Sequence, residues 1–100
     1  MRIIGREKIQ QAIAKHRNWE SSLSAWSTTV EEAAWRHFVD VRHTYKSADN
    51  VGDCVVFNIK HNDCRLIAFI GYKFQTIHVL HVLTHAEYAK ERWKSDCNCK

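Results

Sequence analysis

The chain has 100 residues, 45% of them hydrophobic and 26% charged, with a formal net charge of +4 and seven histidines. That length suits one domain with one core, and the ordinary balance of apolar and charged residues excludes a disordered or fibrous chain. No apolar run reaches the roughly 18 residues of a membrane-spanning helix, so none is predicted. In "MRIIGREKIQQ", charges at Arg2, Arg6, Glu7 and Lys8 interrupt any signal-peptide core, and a cytoplasmic location is expected. The basic balance suggests a polyanionic partner, or simply a soluble basic surface.

The elements follow in order. Ile9, Ala12, Ile13 and His16 recur at helical spacing and predict a first helix. "NWESS" interrupts it, and Ser21 or Ser22 can cap the next helix. Leu23, Trp26, Val30 and Ala33 or Ala34 make a second apolar stripe, and Trp35, Phe38 and Val39 a shorter third. Helices with a short link predict an N-terminal helical hairpin, within about residues 1–45. Trp26, Trp35 and Phe38 read as packing residues.

After the polar, turn-rich "HTYKSADNVGD" the period becomes two. Val55, Phe57 and Ile59 share one face of a strand, with Cys54, Val56, Asn58 and Lys60 on the other. "HND" is a hairpin turn. "CRLIAFIGY" is apolar almost throughout, as a central strand buried on both faces requires, with Arg65 its one charge. "KFQ" turns the chain again and "TIHVLHVL" is a third strand. The expected fold is α+β: a helical hairpin on a small antiparallel sheet of three or more strands, spanning about residues 51–83. A C-terminal helix over about 84–95 and a flexible tail, 96–100, complete a single domain.

Cys54, Cys64, Cys97 and Cys99 form no C-x-x-C pair, and without a signal sequence they are expected as reduced thiols. The tail "SDCNCK" is expected to fray. His78 and His81 invite a metal reading with His85, but strand positions three apart point to opposite faces. No carboxylate or cysteine completes a tetrahedral set nearby. Neither a metal nor another cofactor is expected.

"LTHAEYAKERW" carries the sharpest chemistry. Thr84 and Glu87 have capping-box spacing, and Leu83 and Tyr88 that of a hydrophobic staple. Helix initiation does not account for His85. At the first helical position it faces unsatisfied N–H groups and the positive end of the helix dipole, where a phosphate would be attracted. Tyr88 lies on an adjacent face of the same turn. The plain alternative for His85 is an exposed histidine without a role. Arg65, costly to bury unless paired or solvated, either forms a structural salt bridge or serves a cleft. Lys73 can flank such a groove or be merely solvated, and His81 can line it.

"VVFNIKHNDCRLIAFIGY" followed by "VLTHAEYAKERW" resembles the HigB family of toxins from bacterial type II toxin–antitoxin modules, within the RelE-like superfamily. Asn58, Asn62, Arg65 and the block Thr84-His85-x-Glu87-Tyr88 carry the likeness in order and spacing. "SLSAWSTTVEEAAWRHF" and "SADNVGDCVVFNI" extend it over nearly the whole chain. The chain departs from the family pattern at Leu80, where many members have arginine, and at Ala89, Lys46 and Lys60-His61.

The resemblance implies an endoribonuclease acting on mRNA engaged by the ribosome, together with a helix-turn-helix antitoxin that binds it as a hetero-oligomer. RNA can be cut without metal by its own 2′-hydroxyl. Arg65 is assigned to the phosphate. His85 is the acid–base candidate, since histidine is the side chain type that titrates near neutrality. Tyr88 can position the phosphate, stack on a base or act as the acid. Asn58, Lys60, Lys73, His81, Lys46 and Arg42 are candidates for contact with RNA. Two rivals remain: a non-catalytic relative that inhibits a protein such as DNA gyrase, and a degenerate module that only binds antitoxin.

Overall fold

The computed structural model describes residues 1–61 and 63–98. Asn62, Cys99 and Lys100 lie outside the described residues, and so do the expectations placed on them. The elements are β1 (Arg2–Ile4), α1 (Arg6–Lys15), a 3-10 turn (Arg17–Trp19), α2 (Glu20–Glu32), α3 (Phe38–Thr44), β2 (Asp49–Val51), β3 (Cys54–Ile59), β4 (Cys64–Gly71), β5 (Thr76–Thr84), α4 (His85–Ala89) and a 3-10 segment (Arg92–Cys97).

The fold is α+β, and the sheet is mixed. Its order is β1-β5-β4-β3-β2. Strands β3 to β5 form the expected antiparallel meander; β2, in the stretch read as a turn, adds antiparallel to β3, and β1 adds in parallel to β5, with Arg2 opposite Thr76. A three-residue strand shows too little alternation to be read from sequence. Gly5 joins it to α1 at φ 91, where a Cβ would meet the Val79 carbonyl oxygen at 2.7 Å. Only glycine suits that backbone.

The helices are placed by the sheet more than by one another. α1 packs chiefly on β5, and α2 on β1 and β3, so the helices lie on the sheet as expected, with each held more by strands than by its partner in a hairpin. α2 leaves the 3-10 turn directly from Trp19, already in helical backbone. Ser21 and Ser22 therefore lie inside its first turn and do not cap it. α3 begins at Phe38, with Asp40 Oδ2 accepting from the N–H groups of Arg36 and His37 at 2.9 and 3.3 Å. Trp35 stays outside it and packs into the core.

Two cores form because β4 is buried on both faces, as its composition requires. Under the helices, Phe57 is met by Trp26 and Tyr45, both edge-on at 5.4 Å, and by Trp35 at 6.3 Å. On the opposite face Cys54, Val56 and Ile67 pack with Trp93 and Cys97.

That second core overturns two expectations. The C-terminal helix stops after one turn, because Glu91 adopts a left-handed backbone at φ 59 and the chain turns back over the sheet. The tail residues Asp96 to Asn98 are engaged. Cys97 is disulfide-bonded to Cys54, Asp53 N–H donates to the Cys97 carbonyl at 2.8 Å, and Asn98 Nδ2 donates to Asp53 at 2.6 Å. So two of the four cysteines are not reduced thiols. Their sequence separation of 43 left no local signal for the pairing.

Candidate functional site

The cleft is assembled from the pleat of the sheet outward. β3 and β4 pair Asn58 with Arg65, so the two side chains stand beside each other on one face. On its other side Arg65 is opposite Leu83 of β5. The end of α3 and the turn after it bring Arg42 and Lys46 to the rim, and α4 brings Tyr88. Together these residues line a cleft of about 360 Å³ with Asp49 and Val56. The sequence reading picked out Arg42, Lys46, Asn58, Arg65 and Tyr88. It missed Asp49, whose only signal was its place in "SAD".

Arg65 is 9% exposed. Its Cζ lies 5.1 Å from the centroid of the Tyr88 ring, a cation–π distance. Tyr88 in turn stacks on Trp93 at 5.0 Å with 13° between planes, and Trp93 Nε1–H donates to the Tyr88 carbonyl at 3.0 Å. Three cations, Arg42, Lys46 and Arg65, and one carboxylate, Asp49, line the cleft. A cavity of that sign, partly walled by sheet, concentrates an anionic chain. Behind Arg65, burial pushes the Cys64 thiol up to about 12, with the Arg65 charge opposing and the Asp63 charge assisting. Cys64 is therefore a packing residue at neutral pH.

The opening turn of α4 is built as its spacing predicts. Thr84 N–H donates to Glu87 Oε1 at 2.9 Å, and Glu87 N–H donates to Thr84 Oγ1 at 3.2 Å. The bond from Thr84 holds the Glu87 carboxyl below its ordinary range, with Lys15 and His16 adding to the effect. Leu83 and Tyr88 both pack against the second core. His85 is exposed at the first helical position and is not among the cleft-lining residues. With five residues, α4 is too short to develop the dipole expected to hold a phosphate there.

The other candidates lie elsewhere. Lys60 Nζ donates to the Asn18 carbonyl at 2.9 Å, beside the first 3-10 turn. Lys73 lines a groove with Arg36 and Gln75 at the far end of β4, roughly 20 Å along the strand from Arg65. His81 Nε2 lies 2.7 Å from Asp96 Oδ2 and borders a polar groove with Lys8, Lys15 and His16. A bulge in β5 changes the expected geometry: Ala68 pairs with Val79 but Ile67 with His81. His78 and His81 thus fall on one face, opposite residues two apart, and the simple count of three misleads. Leu80 turns into the second core. Among the described residues, no three His, Cys, Asp or Glu side chains converge as metal ligands, and no helix is long and apolar enough to cross a membrane.

Residues 19–91 match the family model described as HigB_toxin, RelE-like toxic component of a toxin-antitoxin system. The chain belongs to the HigB toxin family. The match spans α2 through α4 and so contains every residue of the cleft; Trp93 and Cys97 lie beyond it. The chain is similar to the "mRNA interferase toxin HigB" of Escherichia coli (strain K12), 24% identical over 91 residues that cover 88% of each chain. Proteins named "mRNA interferase HigB" from Escherichia coli O157:H7 and Shigella flexneri match to the same extent.

Proposed function

We propose that this toxin is an endoribonuclease that cleaves mRNA, and that the cleft around Arg65 is where it does so. The observation that carries the reading is the buried guanidinium on the central strand, stacked on Tyr88 and flanked by Asn58, Arg42 and Lys46. Three cations along one cleft suit the closely spaced charges of a nucleic-acid backbone. The names of the related toxins favour the same activity.

In the proposed reaction the 2′-oxygen attacks the adjacent phosphorus and the bond to the 5′-oxygen breaks. The products are a 2′,3′-cyclic phosphate and a 5′-hydroxyl, with no metal required. One group takes the proton from the 2′-hydroxyl and another returns one to the leaving oxygen. Arg65 donates to the phosphate oxygens as charge builds there. Tyr88, its ring held between neighbours, is placed to orient the phosphate or supply a proton. His85, one turn away on the same element, is the partner acid or base and reaches the cleft from its exposed position once RNA is bound. Asn58, Arg42 and Lys46 contact the nucleotides beside the cut, while Lys60, His81 and Lys73 track more distant backbone. The substrate is mRNA engaged by the ribosome in the cytoplasm, and a helix-turn-helix antitoxin neutralises the toxin as a hetero-oligomer.

The test is a pulse of inducible expression with mapping of new 5′-hydroxyl RNA ends, comparing wild type with the double variant Arg65→Ala, His85→Ala. New ends inside coding regions with wild type only, accompanied by growth arrest, are expected. Arrest without new ends, with altered DNA supercoiling, would transfer the toxin to a protein target such as gyrase. Soluble, folded protein giving neither would mark a module that only binds antitoxin.

A further inference from the structure

The sheet face that carries Arg65 meets only the single turn of α4 among the described helices. The strap from Arg92 to Cys97 covers it, and Trp93, 3% exposed, is its main apolar plug. Trp93 contacts Tyr88 twice, through the ring stack and through the Nε1–H bond to its carbonyl. Tyr88 needs such support, because α4 is a single turn and one turn has little stability of its own. The strap is itself a 3-10 segment with poor internal hydrogen bonding. It is held from outside, by the Cys54–Cys97 bond, by Asp53 N–H on the Cys97 carbonyl, and by His81 on Asp96. The covalent anchor therefore lies four residues beyond the tryptophan that orients the cleft's tyrosine.

We propose that Trp93 is a positioning residue for Tyr88 and that the Cys54–Cys97 bond keeps Trp93 in place, so that cleavage is faster in the disulfide form than in the dithiol form. This rests on the reading of the Arg65 cleft as the RNA-cleaving site. A protein that cuts mRNA works where thiols are kept reduced, and a disulfide there is more often a redox-responsive element than a fixed staple. The exchange balances with a dithiol reductant. One of its thiolates attacks a sulfur of the pair and the S–S bond breaks, leaving a mixed disulfide. The second thiolate resolves it. The protein gains two electrons and two protons as the thiols of Cys54 and Cys97, and the reductant becomes a disulfide. Both sulfurs are buried, so the strap must open for the exchange, and that opening also frees Trp93.

The test compares disulfide-form protein with protein reduced by dithiothreitol, using ribosomes programmed with a defined message and reading kcat and KM separately. Trp93→Ala, Trp93→Phe and the double variant Cys54→Ser, Cys97→Ser are run beside wild type, with far-UV circular dichroism confirming the fold. Reduction and Trp93→Ala should each lower kcat by roughly two- to tenfold, the span that one stacked aromatic pair supports, with KM nearly unchanged. Trp93→Phe should recover most of the rate, and the serine pair should match reduced wild type in either redox state. Equal kcat in both redox states, a change in KM alone, or Trp93→Phe falling as far as Trp93→Ala overturns the proposal. If the serine pair does not fold, the two Trp93 variants decide it in the disulfide form. If wild type cuts no RNA in either state, the cleavage reading fails by itself. The linkage is then read from the near-UV band that Trp93→Phe removes: its loss on reduction supports the coupling and its persistence overturns it.

Discussion

Replacing Arg65 with glutamine removes the positive charge at the centre of the cleft while keeping a long polar side chain on β4. A hydrogen bond between an ionised donor and a phosphate contributes about 1.5–3 kcal/mol, which corresponds to roughly ten- to 150-fold in rate. Losing a preorganised donor to developing negative charge costs about 100- to 1,000-fold in other enzymes. Arg65 is buried and braced by the Tyr88 ring at 5.1 Å, so its guanidinium is preorganised and the upper part of the first range applies. Arg65→Gln should therefore lower kcat about 100-fold. Arg65→Lys restores a point charge but neither the planar fork nor the stack on Tyr88, and should recover only part of the rate. Removing a buried charge also relieves its desolvation, so the melting temperature should stay within a few degrees of wild type. The assay is single-turnover cleavage of a defined message on programmed ribosomes, with melting followed in parallel. A folded Arg65→Gln variant that keeps a third or more of the wild-type rate would refute the assignment of Arg65 to the phosphate.

Further expectations follow from other parts of the molecule. Phe57→Ala removes a fully buried ring that three aromatic partners contact, and chemical denaturation should show a loss of about 3–5 kcal/mol; a loss below 1 kcal/mol would mean that the cluster is not the structural centre. Cys64, buried and with its thiol pushed up to about 12, should resist iodoacetamide at pH 7.5 and become labelled only on denaturation, as mass-mapped alkylation would report. Glu87 is held below its ordinary value of 4.5 in the folded state, so its carboxylate stabilises the fold above that pH. The contribution should disappear as pH falls through the lower folded value, and melting curves of Glu87→Gln should lose that part of the acid dependence. An identical acid profile for variant and wild type would remove Glu87 from the capping role.

Much of the layout was legible in the residues. The alternation of Val55, Phe57 and Ile59 with Cys54, Val56 and Asn58 correctly assigned the two faces of β3. The apolar run around Arg65 marked the central strand, and Thr84 with Glu87 marked the start of α4. These features record local burial and local hydrogen bonding, and both leave periods of two or 3.6 residues in the sequence. Of the candidate residues, the fold brings Arg65, Tyr88, Asn58, Arg42 and Lys46 to one cleft, while His85, Lys60, His81 and Lys73 stand apart from it.

What only the tertiary structure decided depends on contacts between distant segments. β1 exists as a strand because β5 offers it an edge. The bulge that turns Leu80 inward and puts His78 and His81 on one face is a property of the β4–β5 register and not of either strand alone. The C-terminal helix ends early because the Arg65 face of the sheet must be covered, and the chain spends Trp93 and Cys97 on covering it. Sequence by itself determined which residues prefer burial and which local backbone they favour. It did not determine which buried surfaces would meet, because that choice rests on the packing of elements that are remote along the chain.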